Sequence, residues 1–269
     1  MWIDGGIHAR EWVSPATATW MPNELVENNN THPELTGKLD WYFLPSHNPD
    51  GYRISQTKDR MWRKTTSHYP GDLCRGTDQN RNWDFHWGEP GASRNSCSEN
   101  YAGPEPFSEV ETRNVRDFIT AHKDKIKFYQ TLHSYSQMIL LPWGYTAETA
   151  PGYTRMLDLA ERGNSALHAV HGKVYEVGSV SQVIYEVSGS SLDWALGVAG
   201  IPYVYAMELR DTGRFGFYLP AHEIVSTGEE VWAWHEVAAR EIIDTFQEKG
   251  LVFFLDFPEL GNISSRKMT

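Results

Sequence analysis

A histidine and a glutamate stand three residues apart in His8-Ala9-Arg10-Glu11, directly after a short apolar run. In a turn that follows a strand, these two side chains can converge on one cation. A catalytic zinc ion takes three protein ligands at about 2.0–2.2 Å and keeps a fourth position for the water that attacks a carbonyl carbon. Because a lone His-x-x-Glu is more often a polar surface turn than a metal site, this interpretation requires a third ligand.

His133 is the candidate for that third ligand. It ends an alternating pattern over Phe128–Leu132 that is typical of a strand, and a histidine at the end of a strand faces the edge where active sites lie. The alternative is a core histidine bonded to a backbone carbonyl. The pair His168 and His171 also has a spacing that suits a metal, but no acidic partner accompanies it, and we interpret it as a solvated helix face.

Glu208 is the candidate for the group that moves the proton. It closes the apolar run Tyr203–Leu209, which predicts a half-buried carboxylate, and such a carboxylate is either paired or functional. A salt bridge to Arg210 or Arg214 is the structural alternative. Beside a metal-activated water, a glutamate takes the proton of the water and later gives it to the leaving amine.

The elements that position these residues follow from apolar runs and helix starts. Strands are predicted over Met1–Gly6, Asp40–Pro45, Lys127–His133, Met138–Leu141 and Tyr203–Leu209. Helices are predicted from Ser14-Pro15, from the capping box Ser108-x-x-Glu111, and over Gly152–Val170 and Thr227–Lys249. Pro22 predicts a kink or an early stop in the first helix. Together these elements predict an α/β sheet with helices on both faces and an active site where the strands end.

The composition limits the class of protein. The 269 residues are 40% hydrophobic, enough to bury the core of one globular domain. With 24 basic and 35 acidic side chains, the charge balance argues against a nucleic-acid-binding surface. No apolar run approaches the ~20 residues of a membrane-spanning helix, so we expect no membrane partner. Cys74 and Cys97 are either two thiols or one disulfide, and their spacing does not decide between these.

With these residues in place, the sequence resembles the pancreatic-type zinc metallocarboxypeptidases, the carboxypeptidase A and B family. The resemblance extends from Trp2 to about Phe246, and its motifs occur in the order of the family. They are Gly6-Ile7-His8-Ala9-Arg10-Glu11-Trp12, Asn48-Pro49-Asp50-Gly51, Arg60-Met61-Trp62-Arg63-Lys64, Asp78-Gln79-Asn80-Arg81-Asn82-Trp83, His133-Ser134-Tyr135-Ser136-Gln137, Ile184-Tyr185, Ser191-Leu192-Asp193-Trp194 and Glu208-Leu209-Arg210-Asp211-Thr212-Gly213. The family implies a single α/β domain with a mixed parallel and antiparallel sheet, flanked by helices on both faces.

The resemblance implies a role in catalysis for five residues. His8, Glu11 and His133 correspond to the ligands of one zinc ion per chain. Glu208 corresponds to the general base. Arg63 corresponds to the arginine that stabilises the oxyanion, because a fixed cation beside the metal meets the negative charge that develops there.

Further residues correspond to groups around the reacting atoms. Asp78 matches an acid that bonds a ligand histidine and sets its tautomer. The carboxylate clamp, meaning the groups that hold the terminal carboxylate of the substrate, corresponds to Asn80, Arg81 and Tyr185. An accessory arginine that binds substrate corresponds to Arg10, and the outer substrate subsites correspond to Ser134, Tyr135 and Phe217. A family disulfide corresponds to Cys74 and Cys97. That carboxylate clamp implies an exopeptidase, and the disulfide implies an oxidising, extracellular compartment.

Leu192 stands where B-type enzymes, which remove Lys or Arg, place an aspartate at the floor of the specificity pocket. An apolar floor cannot pair a buried ammonium group. Val187 and Gly144 also match pocket positions. The resemblance therefore implies an A-type enzyme that prefers apolar or aromatic terminal residues.

The resemblance divides the chain into a catalytic domain over residues 1–246 and a loosely attached tail over residues 247–269. It also implies that a signal peptide, a pro-segment and the first strands and helix of the family precede Trp2 and are missing from this sequence. Without them, an unpaired strand edge and open apolar surface predict poor solubility and weak folding.

The predicted protein is a secreted monomer whose partners are the carboxyl ends of peptides and proteins. Two other functions compete with an active exopeptidase. One is a catalytically impaired fragment that retains the site, and the other is a related zinc deacylase of N-acyl amino acids.

Overall fold

The computed structural model describes residues 1–27 and 30–248, and a six-stranded sheet lies at its centre. The strands are β1 (Trp2–Gly5), β2 (Tyr42–Leu44), β3 (Phe128–Ser134), β4 (Met138–Leu141), β5 (Glu176–Ser179) and β6 (Tyr203–Leu209). Their order in the sheet is β2-β1-β3-β6-β4-β5. Only the β4–β6 pair is antiparallel among the pairs of this sheet, so the predicted mixed sheet is confirmed.

Helices cover both faces of this sheet. They are α1 (Val13–Glu27), α2 (Pro33–Gly37), α3 (Pro49–Thr57), α4 (Val110–His122), α5 (Tyr153–His171), α6 (Val180–Val183), α7 (Ser191–Gly197) and α8 (Glu223–Ile243), which continues into a π-helical turn over Asp244–Glu248. On one face, Phe128 of β3 contacts Trp234 of α8. On the other face, Trp2 of β1 contacts Phe118 of α4. The α/β class with helices on both faces is therefore also confirmed.

The register of the central strands fixes where the site forms. β1, β3 and β6 are parallel neighbours, so their carboxyl ends meet at one edge of the sheet. Gly5 at the end of β1 lies opposite Leu132, and His133 lies opposite Glu208 of β6. The residues that follow β1 therefore reach the ends of both other strands.

The predicted capping box at the start of α4 is wrong. The helix begins at Val110, and its N-cap residue Glu109 makes no capping bond with its side chain. A distant residue serves instead: Asn82 Oδ1 accepts from the Glu109 backbone N–H at 3.2 Å and from the Thr112 hydroxyl at 3.0 Å. The start of α4 is thus tied to the loop that carries the predicted clamp.

Other boundaries also differ from the predictions. α1 continues through Pro22 to Glu27, so the early stop does not occur. β5 was not predicted, and it adds Glu176–Ser179 to the edge of the sheet beside β4. α8 begins at Glu223 instead of Thr227. Most of the predicted tail, residues 249–269, lies outside the described residues.

Candidate metal centre and active site

His8, Glu11 and His133 come together at the carboxyl ends of β1 and β3. His8 Nδ1 lies 2.8 Å from Glu11 Oε1 and 3.2 Å from His133 Nδ1, and His133 Nδ1 lies 3.1 Å from Glu11 Oε2. All three side chains are buried. The core-histidine alternative for His133 is not realised, because its ring nitrogens contact Glu11, His8 and the Thr131 hydroxyl.

This donor set fits a zinc ion. Two ligands at about 2.1 Å in a tetrahedral arrangement lie about 3.4 Å apart, which is close to the 2.8–3.2 Å between these atoms. Two imidazoles and a carboxylate are a donor set of catalytic zinc sites. Both histidines direct Nδ1 inward. The two nitrogens face each other at 3.2 Å, so one cation between them could bind both. Within the described residues, His8, Glu11 and His133 are the group of metal-ligating side chains whose ligand atoms lie close enough together to share one ion.

Asp78 lies directly behind the three candidate ligands. Its Oδ1 accepts from His8 Nε2 at 3.2 Å, which leaves Nδ1 of that ring for the metal. Its Oδ2 accepts from Arg63 Nη2 at 2.8 Å. Burial alone would raise the pKa of Asp78, but Arg63, His8 and Arg81 hold it well below its usual value. Asp78 is therefore a fixed negative charge between the ligand and two arginines.

Glu208 faces the same pocket from β6, beside His133. Its Oε2 is buried and has no hydrogen-bond partner within the described residues. Burial, and then the charge of Glu11, raises the pKa of Glu208 to about 8. The salt-bridge alternative is not realised through Arg210, which instead donates to Glu230 at 2.9 Å and to Glu223.

The predicted clamp lies in that pocket as well. Arg63, Asn80, Arg81 and Tyr185 line it together with the three candidate ligands. Arg81 is buried and held in place by bonds from Nε to Gly91 O at 2.9 Å and from Nη1 to Asn80 O at 2.8 Å. Tyr185 stands at the rim and is 59% exposed. Two guanidinium groups near the candidate metal give the pocket the charge that suits a carboxylate.

The other part of the pocket is apolar. It is lined by Leu140, Val180, Ile184, Val187, Leu192 and Ala206. Behind Leu192, the buried Asp193 carboxylate accepts from the backbone N–H groups of Gly144 and Tyr145 at 2.9 Å and 3.1 Å. Burial raises the pKa of Asp193 to about 7. A Cβ atom at Gly144 would lie 3.0 Å from Val187 O, so a larger residue there would have to displace the Val187 backbone by a few tenths of an ångström.

Asp193, Leu140 and Val180 were not assigned to the site by the sequence. Asp193 stands within one of the motifs, Ser191-Leu192-Asp193-Trp194, but its partners Gly144 and Tyr145 are far away in the chain. Leu140 lies inside a predicted strand, and nothing in its type distinguishes it from other core residues.

Arg10 and two of the residues predicted for the outer subsites, Tyr135 and Phe217, form a patch outside this pocket. The Arg10 guanidinium lies 4.6 Å from the Phe217 ring centre, and the rings of Tyr135 and Phe217 meet at 5.0 Å. Arg10 also pairs with Glu99 at 2.9 Å. Ser134 is buried, and its backbone N–H donates to Glu11 Oε2 at 3.2 Å. Ser134 therefore supports a candidate ligand, a role that the sequence did not reveal.

The structure decides the state of the two cysteines and shows the surroundings of the His168–His171 pair. Cys74 and Cys97 are joined by a disulfide bond. His168 and His171 are exposed on α5, as predicted for a solvated face. The statement that no acid accompanies them is wrong, because Glu229 of α8 lies 2.6 Å from His171 Nε2.

None of the described helices is long and apolar enough to cross a membrane.

Comparison with known proteins gives concordant results. The family model described as zinc carboxypeptidase matches residues 1–234. The chain is 49% identical over 247 residues to carboxypeptidase B of the crayfish Astacus astacus, covering 91% of this chain and 82% of the relative. It is 49% identical over 235 residues to mouse carboxypeptidase A2, covering 86% of this chain and 56% of the relative. The chain therefore spans little more than half the length of the mouse relative.

A solved structure is similar over nearly the whole described chain. It is bovine thrombin-activatable fibrinolysis inhibitor in complex with tick carboxypeptidase inhibitor, with a TM-score of 0.87 and 38% sequence identity. The similarity covers 91% of this chain and 82% of the bovine one.

Proposed function

The chain belongs to the zinc carboxypeptidase family, and from this premise we propose that it removes single residues from the carboxyl ends of peptides and proteins. One observation carries the proposal: the candidate ligands, Glu208 and the clamp arginine Arg81 line one pocket. A carboxylate held by the clamp would place the last peptide bond beside the ligands. An internal peptide segment has no carboxylate to offer there, which favours an exopeptidase.

The candidate ligands and Glu208 have separate roles in the proposed reaction. His8, Glu11 and His133 hold one zinc ion, which when bound polarises the scissile carbonyl and acidifies the attacking water. Glu208 takes the proton of that water and delivers it to the leaving amine. The buried environment that raises its pKa favours the protonated form needed for the second step, and a bound cation would oppose this shift.

Arg63 and the clamp act on the substrate. The Arg63 guanidinium is fixed by Asp78 and lies 3.8 Å from Glu11 Oε1, so it can stabilise negative charge that develops on the carbonyl oxygen beside the metal. Asn80, Arg81 and Tyr185 hold the terminal carboxylate. Because Arg81 is already positioned by its bonds to two backbone carbonyls, little side-chain freedom is lost when the substrate binds.

The preference we propose is for apolar or aromatic terminal residues. Support comes from the apolar lining around Leu192 and from the absence of a carboxylate among the residues of that wall. Asp193 lies nearby, but its oxygens are occupied by the backbone N–H groups of Gly144 and Tyr145. The relatives named above include both a carboxypeptidase B and a carboxypeptidase A2, so similarity alone does not decide the preference. The proposed apolar preference therefore depends on the residues that line the pocket.

The surroundings we propose are extracellular, and the protein acts there as a monomer. The Cys74–Cys97 disulfide supports the extracellular location, because such bonds persist in oxidising compartments. The substrates are the free carboxyl ends of peptides and proteins.

Zinc analysis combined with hydrolysis of a blocked Phe-ended dipeptide tests the function. We expect one zinc per chain and turnover, with His8→Ala losing metal and activity together. Glu208→Gln should retain zinc and lose turnover by about 10³-fold or more, since the ligands remain and the base is gone. Full zinc retention by His8→Ala, or near-parent turnover by Glu208→Gln, would contradict these assignments. Cleavage of N-acyl amino acids but not of peptides would favour the deacylase.

A further inference from the structure

Three buried polar side chains meet behind the clamp, on the face of the sheet that carries the site. They are Asp4 on β1, Tyr129 on β3 and Ser191 at the start of α7. Each is at most 1% exposed. Trp2 lies opposite Tyr129 in the parallel β1–β3 pair, so Asp4 and Tyr129 are diagonal neighbours on one face of the sheet. Helix α7, which begins at Ser191, packs on β3. In keeping with this, burial and then the Asp4 charge raise the pKa of the Tyr129 phenol, and the Ser191 hydroxyl lowers it.

One atom of each group lacks a hydrogen bond to the rest of the described chain: Asp4 Oδ1, Tyr129 Oη and Ser191 Oγ. The other Asp4 oxygen accepts from Trp2 Nε1 at 2.8 Å. Buried polar atoms without partners are unfavourable and rare in folded proteins. Here the three atoms are complementary, because a carboxylate only accepts and each hydroxyl both donates and accepts. Ser191 can donate to Tyr129, and Tyr129 can donate to Asp4, directly or through one buried water.

This group is connected to the clamp through Ser191. The Ser191 backbone N–H donates to Asn80 Oδ1 at 3.0 Å, and the Asn80 backbone N–H donates to Asp78 Oδ1 at 2.9 Å. Because Oδ1 of Asn80 is held by Ser191, its Nδ2 group remains to donate to a ligand in the pocket. The position of Ser191 therefore sets the direction of the Asn80 amide.

We propose that Tyr129, Asp4 and Ser191 form a hydrogen-bonded unit that positions Asn80 for the terminal carboxylate of the substrate. Tyr129 is thus a positioning residue for substrate binding: it lies on β3, four residues before His133, and is not among the residues that line the pocket. The inference rests on the proposed exopeptidase function, because it assigns a carboxylate to the Asn80 amide. Without the Tyr129 hydroxyl, Asp4 and Ser191 lose their common partner, and the start of α7 can shift with Asn80.

Tyr129→Phe tests the proposal with a ligand that is not hydrolysed. We expect its zinc-loaded form to bind 3-phenylpropionate about tenfold more weakly than the parent, as expected for one displaced hydrogen bond to a charged group. Binding of 3-phenylpropanamide, which has no carboxylate, should change less than twofold. For a blocked Phe-ended dipeptide, KM should rise by a similar factor while kcat stays within about twofold, because Glu208 and the ligands are unaffected.

Tyr205→Phe is the matched control. Tyr205 is also a buried strand tyrosine, but its hydroxyl donates to Met156 O at 2.9 Å on the opposite face. It should lose stability without changing the affinity for 3-phenylpropionate. Equal weakening of the acid and the amide by Tyr129→Phe, or equal effects of the two variants, would overturn the proposal.

Ser191→Ala keeps the test decisive if Tyr129→Phe does not fold. It removes the other hydroxyl while keeping the backbone N–H that holds Asn80, and the same selective loss of carboxylate affinity is expected. Unchanged affinity would overturn the proposal. A parent protein that binds 3-phenylpropionate but leaves the dipeptide intact would instead refute the proposed hydrolysis, while the binding comparison still judges the role of Tyr129.

Discussion

Asp78 connects three parts of the site through one carboxylate. Its two oxygens accept from the imidazole of His8, the backbone N–H of Asn80 and the guanidinium of Arg63. A fully buried carboxylate is stable only when its charge is compensated. Here the compensation comes from the same groups to which we assign roles in catalysis and substrate binding, so the energy that keeps Asp78 ionised also fixes their geometry.

At the same scale, we propose that Leu192 decides which terminal residue the pocket accepts. We expect Leu192→Asp to raise the ratio of kcat/KM for Arg-ended over Phe-ended peptides by about 100-fold or more, because a new carboxylate can pair the buried guanidinium. Steady-state kinetics on the two peptides measures the ratio.

Leu192→Asn is the control for this change, since it is polar and of similar size but uncharged. It should lower the rate on Phe-ended peptides without a gain on Arg-ended ones. If Leu192→Asp left the ratio unchanged, Leu192 would not contact the terminal side chain.

The sequence predicted much of the site at this scale, because the types and order of His8, Glu11, His133 and Glu208 restrict the chemistry. It could not predict the role of Asp193. An acid next to an apolar residue in a helix has the same local signature whether it faces solvent or is buried. Only the fold brings the backbone of Gly144 and Tyr145 to it.

At the scale of elements, α8 contains a buried histidine that makes the folded protein less stable in acid. His235 is fully buried against Phe128 of β3, and its Nδ1 donates to Val231 O at 2.7 Å. Burial lowers its pKa from 6.5 to about 4. The unfolded chain therefore binds a proton near pH 6.5, whereas the folded chain does so only near pH 4. Between these values the unfolded state holds more protons, so the free energy of unfolding falls as the pH falls.

We expect this group to lower the free energy of unfolding by about 2 kcal/mol between pH 7.5 and pH 5. Urea titrations with saturating zinc should show that loss in the parent but not in His235→Leu, so the difference between the two proteins changes by that amount. His168→Leu, which removes an exposed histidine from α5, should behave like the parent. Parallel pH dependences of the parent and His235→Leu would rule out this role.

Elements with strong local patterns were predicted well, and those held by distant contacts were not. β1, β3, β4 and β6 have apolar runs that determine a strand locally. β5 has the sequence Glu-Val-Gly-Ser, which lacks such a pattern, and it is a strand because it pairs with β4. The start of α4 depends on Asn82, a residue that no local capping rule includes.

At the scale of the whole molecule, β2 forms an edge of the described sheet. Beside it lies a groove of about 580 Å³. Aromatic side chains of Trp2, Trp41, Tyr42, Phe43 and Phe118 line it. Within the described residues, β2 has no strand partner on its outer side, and the aromatic side chains beside it are partly exposed at Trp41, Tyr42, Phe43 and Phe118. Such an edge favours pairing with another chain.

We therefore expect the proposed monomer to associate through this edge as its concentration rises. Phe43→Lys should reduce this association, because a charge on an edge strand opposes strand pairing. Sedimentation velocity between about 1 and 100 µM measures the change. Val26→Lys replaces an apolar residue on α1 that is 68% exposed, and it should leave association as in the parent. A parent that stays monomeric throughout, or equal association of the two variants, would exclude this edge as the cause.

The order of strands in the sheet also governs when the protein can fold during its synthesis. Among the described strands, β1 is made first, whereas its neighbour β3 and the next strand β6 are the third and the last to be made. About 200 residues separate His8 from Glu208, so at about 5–20 residues per second a ribosome needs roughly 10–40 seconds between them. Throughout that interval the apolar β1 has no completed sheet to join. A nascent chain of this topology therefore leaves the apolar β1 strand without its central neighbours until nearly all of the described sheet has been synthesised.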